Sequence, residues 1–353
     1  MSTTVDLENR NTIQIMRGIA IIMVVLHHSL SLLESTRTTE VIVHVIDMIH
    51  VNIFFVISGY LFQNSAAKYK KSGFKCFLFK KVKELFVPYY FLSVLFAVLI
   101  RVASINDTIN IFLVSKGYTV KTVCAIIIDP LIFRKPSFTS LWYIYVLLIY
   151  FIVSWVFVDR RIEIYDLLLI GAICIGANMF LWKYMPDILY KAFRYYLFFS
   201  AGMWLFLQFG KKIEVKKGVC WTSMGLLVFS IFRNVLIDIS GMTALGRNIE
   251  TQVERMLTAG SAVIICACVA SWLAERGRGR ILKKIGDESY TIYLLHNPWV
   301  ICVVAVVVQA ICCNPAIQLT LIMGFGIAIP MLLSRFILYA KEIVGNDHKN
   351  ELS

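Results

Sequence analysis

Charged side chains are scarce in this 353-residue sequence, where they occupy only 16% of the positions. Soluble globular domains carry about 25% charged residues, so the composition excludes an ordinary soluble fold. Hydrophobic residues make up 59% of the chain, and the mean hydropathy is +0.74. Apolar runs that reach the roughly 20 residues needed to cross a bilayer recur along the sequence. They are continuous and do not alternate in polarity, which disfavours a membrane β-barrel and indicates a polytopic helical protein.

Metal-binding and redox spacings are missing as well. The nine cysteines include no C-x-x-C pair and no Cys/His arrangement typical of zinc, so we predict no metal site. No cleavable signal peptide is indicated, because the first apolar run follows a polar leader and lacks an A-x-A site. The net charge of +13 comes from short cationic clusters between apolar runs, which points to membrane topology and not to nucleic-acid binding.

The apolar runs predict an all-α, polytopic transmembrane bundle of about ten spans, forming a single domain over residues 1–353. The predicted spans are residues 13–33, 41–63, 85–103, 140–158, 166–182, 193–209, 219–237, 255–274, 288–311 and 316–340. The run 123–133 contains Asp129 and Pro130 and is too short to cross, so we expect an interfacial or re-entrant piece.

Lysine and arginine are unevenly divided between the connections of this bundle. If the N-terminus is inside, the inner connections hold more than twice as many of these cations as the outer ones. The positive-inside rule therefore predicts a multi-pass protein of the cell membrane, with a cytoplasmic leader (1–12) and a cytoplasmic tail (341–353). No internal repeat or pair of broken helices, which many transporters have, is visible.

The first span carries ionisable residues near both ends. Arg17 and His28 lie eleven positions apart, which closes about three helical turns and places both on nearly one face, about 16 Å apart along the axis. An elongated ligand could lie along this stripe with its anionic end at Arg17 and its reacting end at His28. His27 points about 100° away and is expected to be a packing or hydrogen-bonding neighbour. The alternative is a snorkelling arginine with a histidine that bonds across helices.

The second span adds His44, Asp47 and His50 on one broad helical face. A carboxylate beside imidazoles can fix a tautomer and raise basicity, as in general-base sites. Antiparallel packing of the first two helices would bring His50 toward His28 in the outer half of the membrane. Interhelical hydrogen bonding without catalysis stays an alternative for these residues.

Weaker candidates follow along the chain. Lys80 and Lys83 lie in a basic stretch before the third span, where they could bind phosphate or simply anchor the helix at the inner face. Trp142 opens the fourth span and could stack on a sugar ring, although an interfacial belt is the commoner role of such a residue. His296 lies a turn or two inside the ninth span.

Four sequence pieces resemble the membrane-bound acyltransferase-3 family, the O-acyltransferases that decorate bacterial surface polysaccharides. In order they are MRGIAIIMVVLHHS, HVNIFFVISGYLF, KKVKELFVPYY and SYTIYLLHNP. The resemblance covers almost the whole chain, and the first two pieces are specific in combination. The family's essential Arg and His fall on Arg17 and His28, whereas its cytoplasmic R-x-x-R pattern is met only by Lys80 and Lys83. Lysine offers a point charge where arginine offers a bidentate fork.

The resemblance implies an enzyme that takes an acyl group, usually acetyl, from cytoplasmic acyl-CoA and passes it to a sugar hydroxyl on the outer side. Acetyl-CoA would be the donor substrate, a cell-surface or lipid-linked glycan the acceptor, and no cofactor would be permanently bound. Arg17, Lys80 and Lys83 would hold the donor, and Trp142 and His296 would contact the substrate. His28 would be the general base or a covalent acyl carrier, oriented by Asp47 or His50.

Two other classes of function fit parts of the sequence. A flippase for a lipid-linked glycan would also place polar groups within the membrane, but it should not bind or hydrolyse acyl-CoA. A membrane scaffold without activity gives no reason for Arg17 and His28 to share one helical face, and we rank it last.

Overall fold

A computed structural model describes residues 2–107, 110–111, 114, 120–132, 141–181, 183–210, 213, 215–236 and 243–350. Helix makes up 87% of the structure, and the described residues contain no strand, which confirms the all-α prediction. In chain order the helices are α1 (Ser2–Leu30), α2 (Arg37–Asn64), α3 (Ala66–Ser72), α4 (Phe74–Lys81), α5 (Val87–Ala103), α6 (Val123–Leu131), α7 (Trp142–Val153), α8 (Ile164–Phe180), α9 (Asp187–Phe209), α10 (Lys217–Leu236), α11 (Ala244–Glu275), α12 (Arg280–Asp287), α13 (Ser289–Leu295), α14 (Ile301–Ile311) and α15 (Pro315–Asn350).

Six helical segments of the described chain are long and apolar enough to cross a membrane. They are Glu8–Leu30, Arg37–Asn64, Phe74–Ala103, Ile249–Glu275, Ser289–Ile311 and Pro315–Arg335. They match six of the predicted spans and support a multi-pass membrane protein. The other four predicted spans coincide with α7 to α10, of which α7 and α8 belong to shorter apolar helices, so the count of about ten stays a prediction. Helix α6 has nine residues and is about 14 Å long, less than half the hydrocarbon thickness.

Two helix starts differ from the sequence prediction. Helix α1 begins at Ser2, because the polar leader contains no Gly or Pro to stop it. Helix α11 begins at Ala244, and the Thr243 side chain accepts a hydrogen bond from the Gly246 N–H at 3.1 Å as its N-cap. The helix therefore begins eleven residues before the span predicted from residue 255, because the charged residues in between lowered the hydropathy without ending the helix.

The helices group into two compact units, Met1–Ile57 with Gln208–Ser353 and Ser58–Leu207. The prediction of a single membrane domain over the whole chain stays a prediction. The core of the first unit is a cluster of buried aliphatic side chains from α1 and α12 to α15: Ile21, Val24, Val25, Ile285, Ile292, Ile301, Ala305 and Ile322. Since Val24 and Val25 lie one turn before His28, this core holds the end of α1 that carries the histidines.

Helices α1 and α12 meet backbone to backbone at two glycines. A Cβ added at Gly18 would lie 2.1 Å from the Leu282 carbonyl oxygen, and one added at Gly286 would lie 1.8 Å from the Gln14 carbonyl oxygen. Side-chain atoms cannot approach a backbone oxygen so closely, so only glycine permits this crossing. The crossing packs the first turns of α12 against the stretch of α1 that contains Arg17.

The second unit has an aromatic core. The Phe62 ring contacts the rings of Phe77, Phe151 and Phe199 at centroid distances of 5.8–6.0 Å. A Cβ added at Gly59 would lie 1.9 Å from the Phe199 carbonyl oxygen, so α2 and α9 also approach at backbone distance. The short ISGYLF piece of α2 thus supplies both a close crossing and a core residue to this unit.

Candidate active site

Four histidines of the first unit come together into what we call the histidine cluster: His27, His28, His50 and His296. Two come from the end of α1, one from α2 and one from the π turn His296–Val300 that follows α13. The ring centroids of His27 and His28 are 5.0 Å apart, those of His27 and His50 are 5.1 Å apart, and those of His28 and His296 are 5.3 Å apart. His28 therefore lies between His27 and His296.

Backbone carbonyls fix the tautomers of two cluster members. The His50 Nδ1–H donates to the Ile46 carbonyl at 2.5 Å. The His296 Nδ1–H donates to the Ile292 and Tyr293 carbonyls at 2.8 and 2.9 Å. A carbonyl oxygen can only accept, so Nδ1 carries the proton and Nε2 of the neutral ring keeps its lone pair. Both residues are buried, with exposed fractions of 5% and 0%.

The Nε2 atom of His296 is buried and has no hydrogen-bond partner within the described part of the chain. Buried polar atoms are normally hydrogen-bonded, so an unpartnered one marks a place for water or a ligand. This residue was predicted from sequence as a substrate contact, and the structure brings it against His28. No three His, Cys, Asp or Glu side chains among the described residues are arranged as metal ligands.

Asp47 faces His27, with 4.0 Å between the Oδ1 and Nε2 atoms. The sequence prediction had Asp47 or His50 orienting His28, and expected His27 to be a packing or hydrogen-bonding neighbour. In the structure the carboxylate forms its ion-pair contact with His27, whose ring then contacts both His28 and His50. Any influence of Asp47 on His28 that these contacts transmit therefore passes through His27.

The other end of α1 carries Arg17, which is half-buried. Helix α1 runs without a break from this residue to His28, so the separation of about 16 Å along the axis holds. The Arg17 Nη1 atom lies 3.5 Å from the Gln14 Oε1 atom. The Gly18–Leu282 contact lies one residue further along α1 and brings the basic helix α12 to this place.

Helix α12 adds cations that sequence reasoning treated only as part of an inner connection. Arg280 and Lys284 are exposed, and Lys283 is half-buried. The stretch RILKKIGD is amphipathic, with Leu282 and Ile285 toward the protein and the cations on the other side, a pattern that could have predicted the helix.

The remaining predicted donor residues belong to the second unit. Lys80 lies in the last turn of α4 and pairs with Glu84, with 3.7 Å between the Lys80 Nζ and Glu84 Oε1 atoms. Lys83 lies in the π turn Val82–Phe86 and is exposed. Lys81, between them, is the more enclosed lysine, 3.1 Å from Glu84 Oε2 and 4.9 Å from the Phe151 ring centroid. The charged groups of Lys80 and Lys83, the two residues predicted from sequence, therefore lie at the surface of this unit.

Trp142 also belongs to the second unit. Its ring stacks on Tyr195 at 5.2 Å, and the Lys191 Nζ atom lies 5.3 Å from its centroid. Contacts with α9 therefore account for Trp142 as a packing residue. A sugar would have to use the part of the ring that these two side chains leave uncovered.

A second polar group lies on α11 and was missed from the sequence. Glu254 is buried and pairs with His44 across helices, with 3.0 Å between Oε1 and Nε2. Glu250 pairs with Arg233 of α10 at 2.6 Å. Arg255 is fully buried on the same helix. Each of the two glutamates thus has a basic partner on a neighbouring helix, which is the usual condition for ionisable groups inside a bundle.

Comparison with known proteins identifies a family. The acyltransferase-3 family model, described as an acyltransferase domain, matches residues 10–335. The match includes both units and every residue of the histidine cluster. No curated protein and no solved structure matches the chain significantly.

Proposed function

Because the chain belongs to the acyltransferase-3 family of membrane acyltransferases, we propose that it moves an acetyl or other acyl group from cytoplasmic acyl-CoA to a hydroxyl of a cell-surface or lipid-linked glycan. One observation carries this proposal. His28 lies between two other histidines and on the same unbroken helix as Arg17. A cation and a histidine about 16 Å apart on one helix suit a substrate that is anionic at one end and reactive at the other.

The donor would bind at the Arg17 end of α1. A guanidinium binds phosphate oxygens in a bidentate way, and the α12 cations Arg280, Lys283 and Lys284 would supply further positive charge for the CoA phosphates. Lys80 and Lys83 of the second unit are proposed as further donor contacts on the strength of the family's basic motif. The pantetheine arm would then run along α1 and present the thioester to His28.

His28 would carry out the chemistry, either as general base on the acceptor hydroxyl or as a nucleophile that holds the acyl group. His50 would support the cluster with its Nδ1–H tied to the Ile46 carbonyl. Asp47 would act on His28 through His27. Because the carboxylate is 46% exposed and 4.0 Å from the ring, we expect its loss to cost less activity than the loss of His28.

The two substrates would come from opposite sides of the membrane. We propose that both termini are cytoplasmic in the cell membrane, since the basic connections then lie inside. The acceptor would approach the histidine cluster from the outer side, with His296 as a candidate contact. Trp142 of the second unit is proposed as a sugar contact because of its residue type alone. No permanently bound cofactor is proposed.

The proposal is tested by the O-acetyl content of the host's surface glycan. A deletion strain would be complemented with wild type, His28→Ala, His28→Gln or, as a matched control, His44→Gln, a histidine of α2 outside the cluster. NMR of the isolated glycan should show one O-acetyl signal restored by wild type and by His44→Gln. Both His28 variants should lack it at equal membrane levels, because neither side chain can act as base or nucleophile. Normal acetylation by both His28 variants would contradict the proposed role.

A further inference from the structure

We infer that His296 is a second catalytic histidine that takes the proton from the acceptor hydroxyl, while His28 carries the acyl group. This inference rests on the proposed function and divides the chemistry between two neighbouring rings. It assigns to His296 a base function that goes beyond substrate contact.

The His296 ring is preorganised to act as a base. Its exposed fraction is 0%, and two backbone carbonyls of α13 fix its Nδ1–H. Its Nε2 lone pair is then available, and that atom is buried without a hydrogen-bond partner within the described residues. A ring whose orientation is set by its own backbone keeps its basic nitrogen in place before any substrate arrives.

The other neighbours of His28 are less suited to this role. The ring contacts of His28 are with His27 and His296. His27 also has a buried ring nitrogen, Nδ1, without a hydrogen-bond partner within the described residues, but its ring is held by the Asp47 carboxylate, which is 46% exposed and 4.0 Å from the His27 Nε2 atom. His50 has its ring stacked on His27. His296 therefore combines contact with His28, an unpartnered basic nitrogen and a ring orientation fixed by its own backbone.

The chemistry balances over two steps. In the first, a ring nitrogen of His28 forms a bond to the thioester carbonyl carbon, the carbon–sulfur bond breaks, and CoA leaves as the thiolate. In the second, the acceptor oxygen attacks the acyl carbon while the His296 Nε2 atom takes its proton, and the bond between His28 and the acyl group breaks. His296 then gives this proton to water, and the CoA thiolate released in the first step takes one up from water, which leaves the ester, free CoA and both neutral histidines.

The inference predicts that the two histidines fail at different steps. Purified protein in lipid nanodiscs would be mixed with radiolabelled acetyl-CoA in the absence of glycan, and CoA release and protein-bound label measured. Wild type should release about one CoA per protein in a burst and retain the label, as an acyl-enzyme does. His28→Ala should show neither. His296→Asn keeps an N–H near the Nδ1 position but has no base, so it should keep the burst.

The same His296→Asn variant, with His296→Gln beside it, would be tested for glycan O-acetylation in the deletion strain. Transfer should fall about 10²-fold or more, which is the usual contribution of a general base. Hydroxylamine, which attacks an acyl-imidazole without help from a base, should discharge the labelled His296→Asn protein as fast as it discharges wild type. A retained burst also shows that the variant is folded, and thermal melting in detergent checks this independently.

Two results would overturn the inference. One is full glycan acetylation by both His296 variants. The other is loss of the burst together with transfer in variants whose melting temperature equals that of wild type, because His296 would then act before the acyl-enzyme forms. A wild-type protein that releases no CoA and restores no O-acetyl signal would contradict the proposed function itself.

Discussion

The histidines of the cluster differ in what holds their rings. His50 and His296 are oriented by carbonyls of their own helices, so no other side chain is needed to place them. His27 depends on Asp47, a half-exposed carboxylate at 4.0 Å. Rings held by the backbone keep their geometry when neighbours change, whereas an ion pair near the surface is weak and screened. Substitution of Asp47 should therefore disturb the cluster only locally.

Arg17 offers a test at the level of one side chain. Arg17→Lys keeps the charge but loses the bidentate fork, so the KM for acetyl-CoA should rise by about tenfold or less. Arg17→Gln also removes the charge and should raise it by about 10–100-fold. The rate of CoA release by purified protein at varied acetyl-CoA concentration gives kcat and KM for each variant. A fall in kcat with an unchanged KM would contradict the assignment of Arg17 to donor binding.

The sequence predicts only part of this site, and the reason is physical. Arg17 and His28 share a helix, so their spacing follows from the helical repeat alone. The contact of His28 with His296 joins residues 268 positions apart and depends on how α1, α13 and α15 pack, which no local pattern encodes. The partner of Asp47 was missed for the same reason, because His27 and His28 point about 100° apart on α1, and the packing of α1 against α2 decides which of them Asp47 meets.

At the level of elements, the crossing of α1 and α12 links the two ends of the proposed site. The glycines at this crossing set the distance between the basic helix and Arg17. The core residues Ile21 and Ile285 continue the same contact toward the histidines. A disturbance at the crossing is therefore expected to affect donor binding and stability together.

Gly286→Ala tests the crossing. The added methyl group would meet the Gln14 carbonyl oxygen, so the helices must separate, at a cost of about 1–3 kcal/mol. The melting temperature in detergent should fall by several degrees, and the KM for acetyl-CoA should rise. The matched control is Gly260→Ala on α11, where an added Cβ meets nothing within 4 Å. Equal melting of the two variants would contradict the close approach.

Helix α11 shows where hydropathy misleads. Glu250 and Glu254 lie inside a continuous helix, yet their charge moved the predicted start of the span to residue 255. The polar residues are retained in the bundle because partners on α10 and α2, Arg233 and His44, pair with them. A sequence window counts the charge but not the partner, so paired charges shorten a predicted span.

For the whole molecule, the six long apolar helices of the described residues indicate a multi-pass membrane protein. Helix α8 has 17 residues, about 26 Å, which is close to the hydrocarbon thickness. The proposed topology requires it to cross, with residues 159–163 inside and residues 183–186 outside.

Cysteine labelling of whole cells tests this topology. Arg161→Cys and Tyr184→Cys lie on exposed positions on either side of α8. A membrane-impermeant maleimide should add label to the second variant in intact cells and to the first only after permeabilisation, each compared with the parent protein. If both variants are labelled from the same side, α8 does not cross the membrane, and the connections on one side of α8 have the opposite orientation to the one proposed.

The two glycines of the α1–α12 crossing also determine what a genetic selection could repair. The atoms that an added methyl would meet are carbonyl oxygens at Gln14 and Leu282, and every amino acid has that oxygen. A second mutation that trims a neighbouring side chain therefore cannot suppress Gly18→Ala or Gly286→Ala. Suppressors should be true revertants, or changes in the connection 276–279 that let the whole of α12 move. Few kinds of second mutation can therefore restore function to a variant at this crossing.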